Sequence, residues 1–256
     1  MEILVCVKRV PGTGSEIPIT EDGLNIDTRF LGYTIGPHEE CAVEEAIRIT
    51  AAVGGSVTVL TVGPEAAIEQ LYYGISMGAH RGVLVDSGFD DADPQFTAAG
   101  IAMAMRELHD DGQSFDLVMF GNESADAGNY QIGVRLACAM GLPMVGGIKG
   151  IEVTEEAGTI RLSRDAGSGV EVYESDLPAA VAVKEGLNLP RYPSVRGRLK
   201  AKKAPIRTIN WEGERGGLRK VRNRPRPESR ADTVLLGQGS QAAGAVVDVF
   251  EDLGVV

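Results

Sequence analysis

The chain of 256 residues carries a formal net charge of −11, with 43% hydrophobic and 24% charged residues. That length holds one large α/β domain or two modest ones, and the composition is that of an ordinary globular protein. The acidic balance argues against a nucleic-acid partner, and apolar runs such as EILVCV fall well short of the ~20 residues needed to span a bilayer.

The first two-thirds alternate strand and helix signals. EILVCV is a buried strand, with no basic region or signal-peptide core ahead of it. Glu39 to Ala52, EECAVEEAIRITAA, has apolar residues at helical spacing. Strand SVTVLTV, helix EAAIEQLYYGISMG, strand RGVLVD and helix PQFTAAGIAMAMRELHD follow. A fourth strand, FDLVMF, runs through the loop GNESADAGNYQIG into helix QIGVRLACAMG. Continuous Val/Ile/Leu runs suit parallel strands covered on both faces. Their alternation with helices predicts a doubly wound, mostly parallel α/β sheet.

After Pro143 the pattern changes to short strands joined by Gly-containing turns, with no helix among them, and the expectation is an antiparallel addition to the main sheet. Residues 186–209 contain three prolines and read as too polar to bury, and 210–230 lack periodicity and read as an extended arm. The last residues predict a short strand, TVLL, and one amphipathic helix with Ser240 as its N-cap. Three units result: 1–185, an α/β domain; 186–209, a basic segment; and 210–256, a C-terminal arm and helix. Cys6, Cys41 and Cys138 are far apart in apolar patterns, which suits buried thiols in a reducing compartment, the cytoplasm, rather than a disulfide frame.

Charge is unevenly spread. Residues 191–230 hold fourteen Lys/Arg against three Asp/Glu, leaving eleven basic and thirty-three acidic side chains elsewhere. Such a division marks a surface reserved for a partner.

The loop after FDLVMF contains three glycines and two acids but no Lys or Arg. A strand-to-helix turn of this kind presents unpaired backbone N–H groups to an anion, so phosphate needs no cation there. Glu123 and Asp126 would then meet ribose hydroxyls or base edges; a surface loop with glycines for turns is the alternative. The ends of the first two strands, VKRVPGTG and TVGPEAA, and the GPHEE run before the first helix lie on the same rim. Ligands of doubly wound sheets sit beyond the carboxyl ends of strands, which favours a nucleotide pocket.

VKRVP at 7–11, GPHEECAVEEAIRI at 36–49, SMGAHRGVLV at 76–85 and LNLPRYPSVRGRLKAKKAP at 187–205 closely resemble, in order and spacing, the beta subunit of electron transfer flavoproteins. The resemblance covers about the first 210 residues and implies a non-catalytic electron carrier. Its adenine nucleotide is AMP in most members and a second FAD in electron-bifurcating ones. The matching positions are Cys6 in the first strand, Gly36, Pro37, His38 and Glu39 ahead of the first helix, and Val62 and Gly63 after the second strand. The loop supplies Asn122, Glu123, Ser124, Ala125, Asp126, Ala127, Gly128, Asn129, Tyr130, Gln131, Ile132 and Gly133. The family's redox-active FAD is held mainly by an alpha subunit, the implied heterodimer partner. Around Val195, in the position of the family's aliphatic anchor for flavin dehydrogenases, stand Arg191, Tyr192, Pro193, Ser194, Arg196 and Lys200. The tail would pack on the alpha subunit.

This sequence departs from the family pattern at Gly36, usually Asn, and at Gly12, usually acidic. The loop has one Asp and then Ile132–Gly133, where AMP-binding members have consecutive aspartates and Thr-Gly. The Gln-aliphatic-Gly ending looks more like the bifurcating branch, so AMP and FAD both stay open. An adenine-nucleotide hydrolase or ligase on the same sheet would use Glu123 and Asp126 as a Mg²⁺ carboxylate pair. Gly237–Ala242 matches G-x-G-x-x-A, but leaves no room for a βαβ unit. His38, His80 and His109 lack metal-ligand spacing.

Overall fold

The first strand shows how the molecule is layered. In β1 (Glu2–Cys6), Ile3 and Val5 enter one apolar core while Leu4 and Cys6 enter a second on the opposite face. A strand buried on both faces cannot alternate polar with apolar residues, hence the unbroken run in the sequence. The computed structural model describes residues 1–12, 17–89, 92–154, 158–214, 216–225 and 233–255.

β1 pairs in parallel with β4 (Ser56–Gly63) on one side and β6 (Leu117–Gly121) on the other. β4 continues to β5 (Arg81–Asp86), and β6 continues to β11 (Ala179–Val183) and β7 (Met144–Ile148). With β12 (Ile206–Asn210) beside β5, the order is β12-β5-β4-β1-β6-β11-β7 and every pairing is parallel. Helices α1 (Pro37–Val53) and α2 (Ile68–Met77) cover the Ile3/Val5 face through Val43, Ala46, Leu71 and Met77. The other face is covered by α3 (Pro94–Asp110) and α4 (Ile132–Met140), through Ile101, Leu108, Leu136 and Ala137.

Local chemistry sets the helix ends. Asp93 caps α3 by accepting hydrogen bonds from the N–H groups of Gln95 (2.9 Å) and Phe96 (3.2 Å), ahead of Pro94 in the first turn. α1 likewise begins with proline, and Glu39 and Glu40 lie in its first turn, where the helix dipole favours acids.

Several expectations need correction. β8 (Gly150–Thr154), β9 (Thr159–Asp165) and β10 (Val170–Asp176) form an antiparallel sheet of their own instead of extending the main one. Ile160 and Leu162 of β9 point into the core and Arg161 outward, the one-sided pattern of an antiparallel strand. β11, the run AAVAV, is buried at all five residues and takes a parallel place in the main sheet. Within 186–209, read as too polar to bury, α5 (Val195–Ala201) packs beside α2 with Ala201 buried, and β12 adds an edge strand of which only Ile209 is buried. Edge strands bury too little to announce themselves by hydrophobicity. A short ladder of β2 (Val10–Pro11) with β3 (Tyr33–Thr34) follows β1.

At the C-terminal end no strand forms over residues 233–236. A 3₁₀ turn, Gly239–Ala242, leads into α6 (Ala243–Asp252), whose N-cap is Ala242 and not Ser240. With no strand before it, the G-x-G-x-x-A match lacks its structural context. Cys6 and Cys41 are buried, but Cys138, expected inside, is exposed on α4. Among the described residues, no helix is long and apolar enough to cross a membrane.

Trp211, the sole tryptophan, packs with its ring tilted against Phe96 of α3 (centroids 5.5 Å apart) and lies against Gly100, where a Cβ would come within 3.0 Å of the indole. Gly100→Val should therefore overpack this contact, costing about 1–3 kcal/mol in denaturant unfolding, and shift the tryptophan emission to the red. Unchanged emission and stability would contradict the packing described.

Candidate functional site

Because β4 and β6 leave β1 on opposite sides, the connections from their carboxyl ends diverge and a crevice opens between them. A cavity of about 440 Å³ occupies it. Its apolar lining comes from Leu60, Ile101, Phe120, Ala137, Leu142, Met144 and Ala182, and its polar lining from Lys8, Glu39, Asn122, Glu123 and Ser124. Volume and lining are those of a small-molecule site, mostly apolar with a few placed polar groups.

Of the residues expected to bind nucleotide, Cys6, Glu39, Val62, Asn122, Glu123, Ser124, Asn129, Tyr130, Gln131, Ile132 and Gly133 line the cavity. Gly36, Pro37, His38, Gly63, Ala125, Asp126, Ala127 and Gly128 are not among its lining residues, and Ala125, Asp126 and Ala127 are exposed. His38 accepts the Glu185 N–H at Nδ1 (3.1 Å), which holds its ring beside Glu123. Gly36 leaves space for a neighbouring side chain, described below. Gly128 takes φ 54° and closes the loop on the Ser124 carbonyl.

The loop contains no cation of its own, yet one reaches it. Lys8, in the VKRVP run after β1, contacts Asp126 at 2.6 and 2.8 Å. Burial pushes the Asp126 carboxyl up, but the charge and hydrogen bond of Lys8, with Ser124 and the Ala127 N–H, outweigh it and hold the group below its ordinary range. Glu123 lies 3.5 Å from His38 Nε2, and its carboxylate holds the Tyr130 hydroxyl above its ordinary range. The two loop acids read as ribose ligands thus have partners within the chain. Asn122 Oδ1 accepts the Gly147 N–H (2.8 Å), and its own N–H donates to Val183, tying the loop to β7 and β11.

The start of α4 is different. Gln131, its N-cap, makes no side-chain cap, and Ile132, Gly133 and Val134 face the cavity. Their N–H groups have no intrahelical acceptor and carry the positive end of the helix dipole, a ready site for an anion. Gly133 lets this end sit close to the sheet, since a Cβ there would lie 2.4 Å from Met144 Cε.

Glu39 is the residue whose state the sequence concealed. It is 4% exposed, and its Oε2 has no hydrogen-bond partner. Burial, reinforced by Asp126 and Glu40 and opposed by its own backbone N–H and Lys8, raises its carboxyl from 4.5 to about 7. Gly36 and Gly121 make the space: a Cβ at Gly36 would sit 2.4 Å from Oε2, and one at Gly121 3.0 Å. Among the described residues no group of three or more His, Cys, Asp or Glu is placed to hold a metal. His80 accepts the Val57 N–H and His109 pairs with Ser114, each far from the cavity.

The basic segment is anchored on the same helix. Buried Glu44 accepts hydrogen bonds from Arg191 Nε (2.7 Å), Nη2 (2.9 Å) and backbone N–H (3.1 Å). Asn188 Nδ2 donates to the Glu45 carboxylate (2.8 Å) and the Cys41 carbonyl (3.0 Å). The two acids of AVEEA therefore fix 188–191 and leave the next turn projecting. Pro193 is buried, Ser194 caps α5 through the Gly197 N–H, and Tyr192, Val195, Arg196 and Lys200 are exposed, Val195 at 77%.

Burial would raise the Glu44 carboxyl, but the Arg191 hydrogen bonds and charge overcome it and hold the group below its ordinary 4.5. A carboxyl depressed in the fold contributes stability that is complete above its unfolded value and is lost as pH falls through the folded one. Arg191→Ala should cost about 1.5–3 kcal/mol at neutral pH, with the deficit shrinking below about pH 4.5. Denaturant unfolding across pH measures it, and a deficit independent of pH would contradict the pairing.

Comparison with known proteins matches residues 24–212 to the electron transfer flavoprotein domain. The electron transfer flavoprotein subunit beta of Mycobacterium tuberculosis (strain H37Rv) is 36% identical over 213 residues, 81% of this chain and 78% of the relative. The subunit beta of Bacillus subtilis is 31% identical over 260 residues, covering 98% of this chain and 97% of the relative. That of Thermoanaerobacterium thermosaccharolyticum is 30% identical over 268 residues and covers both chains in full. With a domain match over most of its length, a switch-point cavity and an alternating parallel sheet, this chain belongs to the electron transfer flavoprotein family.

Proposed function

We propose that the chain is the beta subunit of a heterodimeric electron transfer flavoprotein in the cytoplasm, and that it holds an adenine nucleotide, AMP or a second FAD, in the cavity between β1 and β6. The uncapped start of α4 bordering that cavity carries the reading. It offers backbone N–H groups to phosphate, while Leu60, Ile101 and Phe120 offer an apolar bed to a base.

Flavin supplies the electron-transfer chemistry when bound, mainly on the alpha subunit. The work of this chain is to bind, position and dock, as a carrier subunit without catalytic residues of its own. A hydrolase reading would need Glu123 and Asp126 free for a metal, whereas Asp126 is engaged by Lys8 and Glu123 stands 3.5 Å from His38.

Two surfaces support the partner assignments. Val195 and Tyr192 project from a rigidly held turn among Arg196, Arg198 and Lys200, an apolar anchor within a cationic rim, which suits docking of acidic flavin dehydrogenases. On α6 and at its C-cap, Val246, Val249, Phe250 and Leu253 are all exposed, and none of the helix's residues is buried. An amphipathic helix with its apolar stripe uncovered calls for a partner, and the alpha subunit is the proposed cover.

Co-expression with the alpha subunit should yield a yellow heterodimer. Denaturing it should release either one FAD with one AMP, as in a simple carrier, or two FAD, as in a bifurcating one. Release of no adenine nucleotide beyond a single FAD would contradict the cavity assignment. Phe250→Asp should abolish co-purification of the two chains without changing the helical content of this one, and undiminished pairing would overturn the role given to α6.

A further inference from the structure

Among the described residues that line the cavity, Lys8 is the sole Lys or Arg. Its neighbour Arg9 lies instead over the Tyr33 ring, 3.3 Å from the centroid. Lys8 Nζ makes two contacts with Asp126, 2.6 Å to Oδ2 and 2.8 Å to Oδ1, and its side chain is 30% exposed. An ammonium carries three N–H donors, so two bonds to one carboxylate leave a third donor to spare. We propose that Lys8 determines ligand specificity: held by Asp126 on one side, its ammonium donates the remaining N–H to a phosphate oxygen of the bound nucleotide, alongside the backbone N–H groups at the start of α4. This rests on the adenine-nucleotide reading above.

The backbone fixes where this cation stands. Val7 is buried and its N–H donates to the Leu60 carbonyl (2.9 Å), so Lys8 is the residue at which the chain leaves the sheet at the crevice. The charge of Lys8 acts on Glu39 as well as on Asp126, which sets it between the first turn of α1 and the loop. Glu39 and Glu123 line the cavity with Asp126 close by, so a phosphate entering without a cation would meet a rim of acids. The start of α4 opposes them with only the partial charge of a helix end. Lys8 supplies a full one, and a lysine ammonium is a point charge well suited to phosphate. Asp126 then orients the ammonium, and Lys8 in turn shields the ligand from Asp126. The preference that results is for a phosphorylated ligand, a nucleotide over its nucleoside.

The test is equilibrium binding of AMP, and of adenosine, which lacks the phosphate, to the nucleotide-stripped heterodimer carrying wild type, Lys8→Met or Lys8→Arg. Loss of a hydrogen bond to a charged group weakens binding about ten- to a hundredfold. Lys8→Met should weaken AMP by that factor and leave adenosine unchanged, and Lys8→Arg, which keeps the charge, should retain most of the AMP affinity. With the wild type, added salt should weaken AMP binding and leave adenosine binding as it was. Equal losses for AMP and adenosine in Lys8→Met would make Lys8 a clamp on the loop alone and overturn the proposal, as would AMP binding that ignores the substitution. Wild-type AMP binding indifferent to salt would overturn it without recourse to a variant. Each of these results leaves the nucleotide site standing, whereas no binding of either compound by any of the three proteins would overturn the nucleotide reading as well.

Discussion

The divergence of the chain on either side of β1 is the constraint from which the rest follows. A parallel sheet whose strands are added first on one side and then on the other leaves the carboxyl end of its central strand uncovered by crossovers. Here that gap lies between β1 and β6, and β1 is buried on both faces, so it cannot shift to fill the gap. Every side chain argued to act on a ligand stands within a few residues of a strand end or a helix start around it. The apolar part of the cavity is the edge of the core shared by α3 and α4, exposed where β1 ends.

Helix α1 gives that constraint a second use. Its first turn brings Glu39 to the cavity, and about one and a half turns further on Glu44 and Glu45 hold residues 188–191. A nucleotide and a docking partner on these two sites would be served by one rigid element packed along the sheet, with Glu40 bound to Tyr73 of α2 between them. The side-chain ion pairs and hydrogen bonds around these two sites are therefore concentrated on one helix, while the opposite face of the sheet supplies apolar packing and the backbone N–H groups at the start of α4.

Much of this was legible in the sequence where burial is two-sided or where the backbone demands glycine. The unbroken strands, the helix pattern of AVEEAIRI and the glycine-rich passage from β6 to α4 all carry their own local signals. Pairings over long separations do not. Lys8 meets Asp126 across 118 residues, and Arg191 meets Glu44 across 147. Only the topology brings these partners together, so loop acids that looked free in the sequence turned out to be engaged. Glu39 was hidden for another reason, because an acid in the first turn of a helix reads as an exposed complement to the dipole. Its burial depends on the absence of a Cβ at Gly36 and Gly121, one nearby in sequence and one remote. β12 and α5 escaped notice because an edge strand and a surface turn of helix bury few side chains, and the prolines around them mimic a loop.

The central claim is that the crevice between β1 and β6 receives the nucleotide. Backbone hydrogen exchange in the proposed heterodimer, compared with and without bound AMP, tests it most directly. The account predicts slowed exchange concentrated at residues 121–134 and 36–40, with the start of α4 most affected. Protection absent from those segments, or gathered instead around Gly237–Ala242, would contradict it.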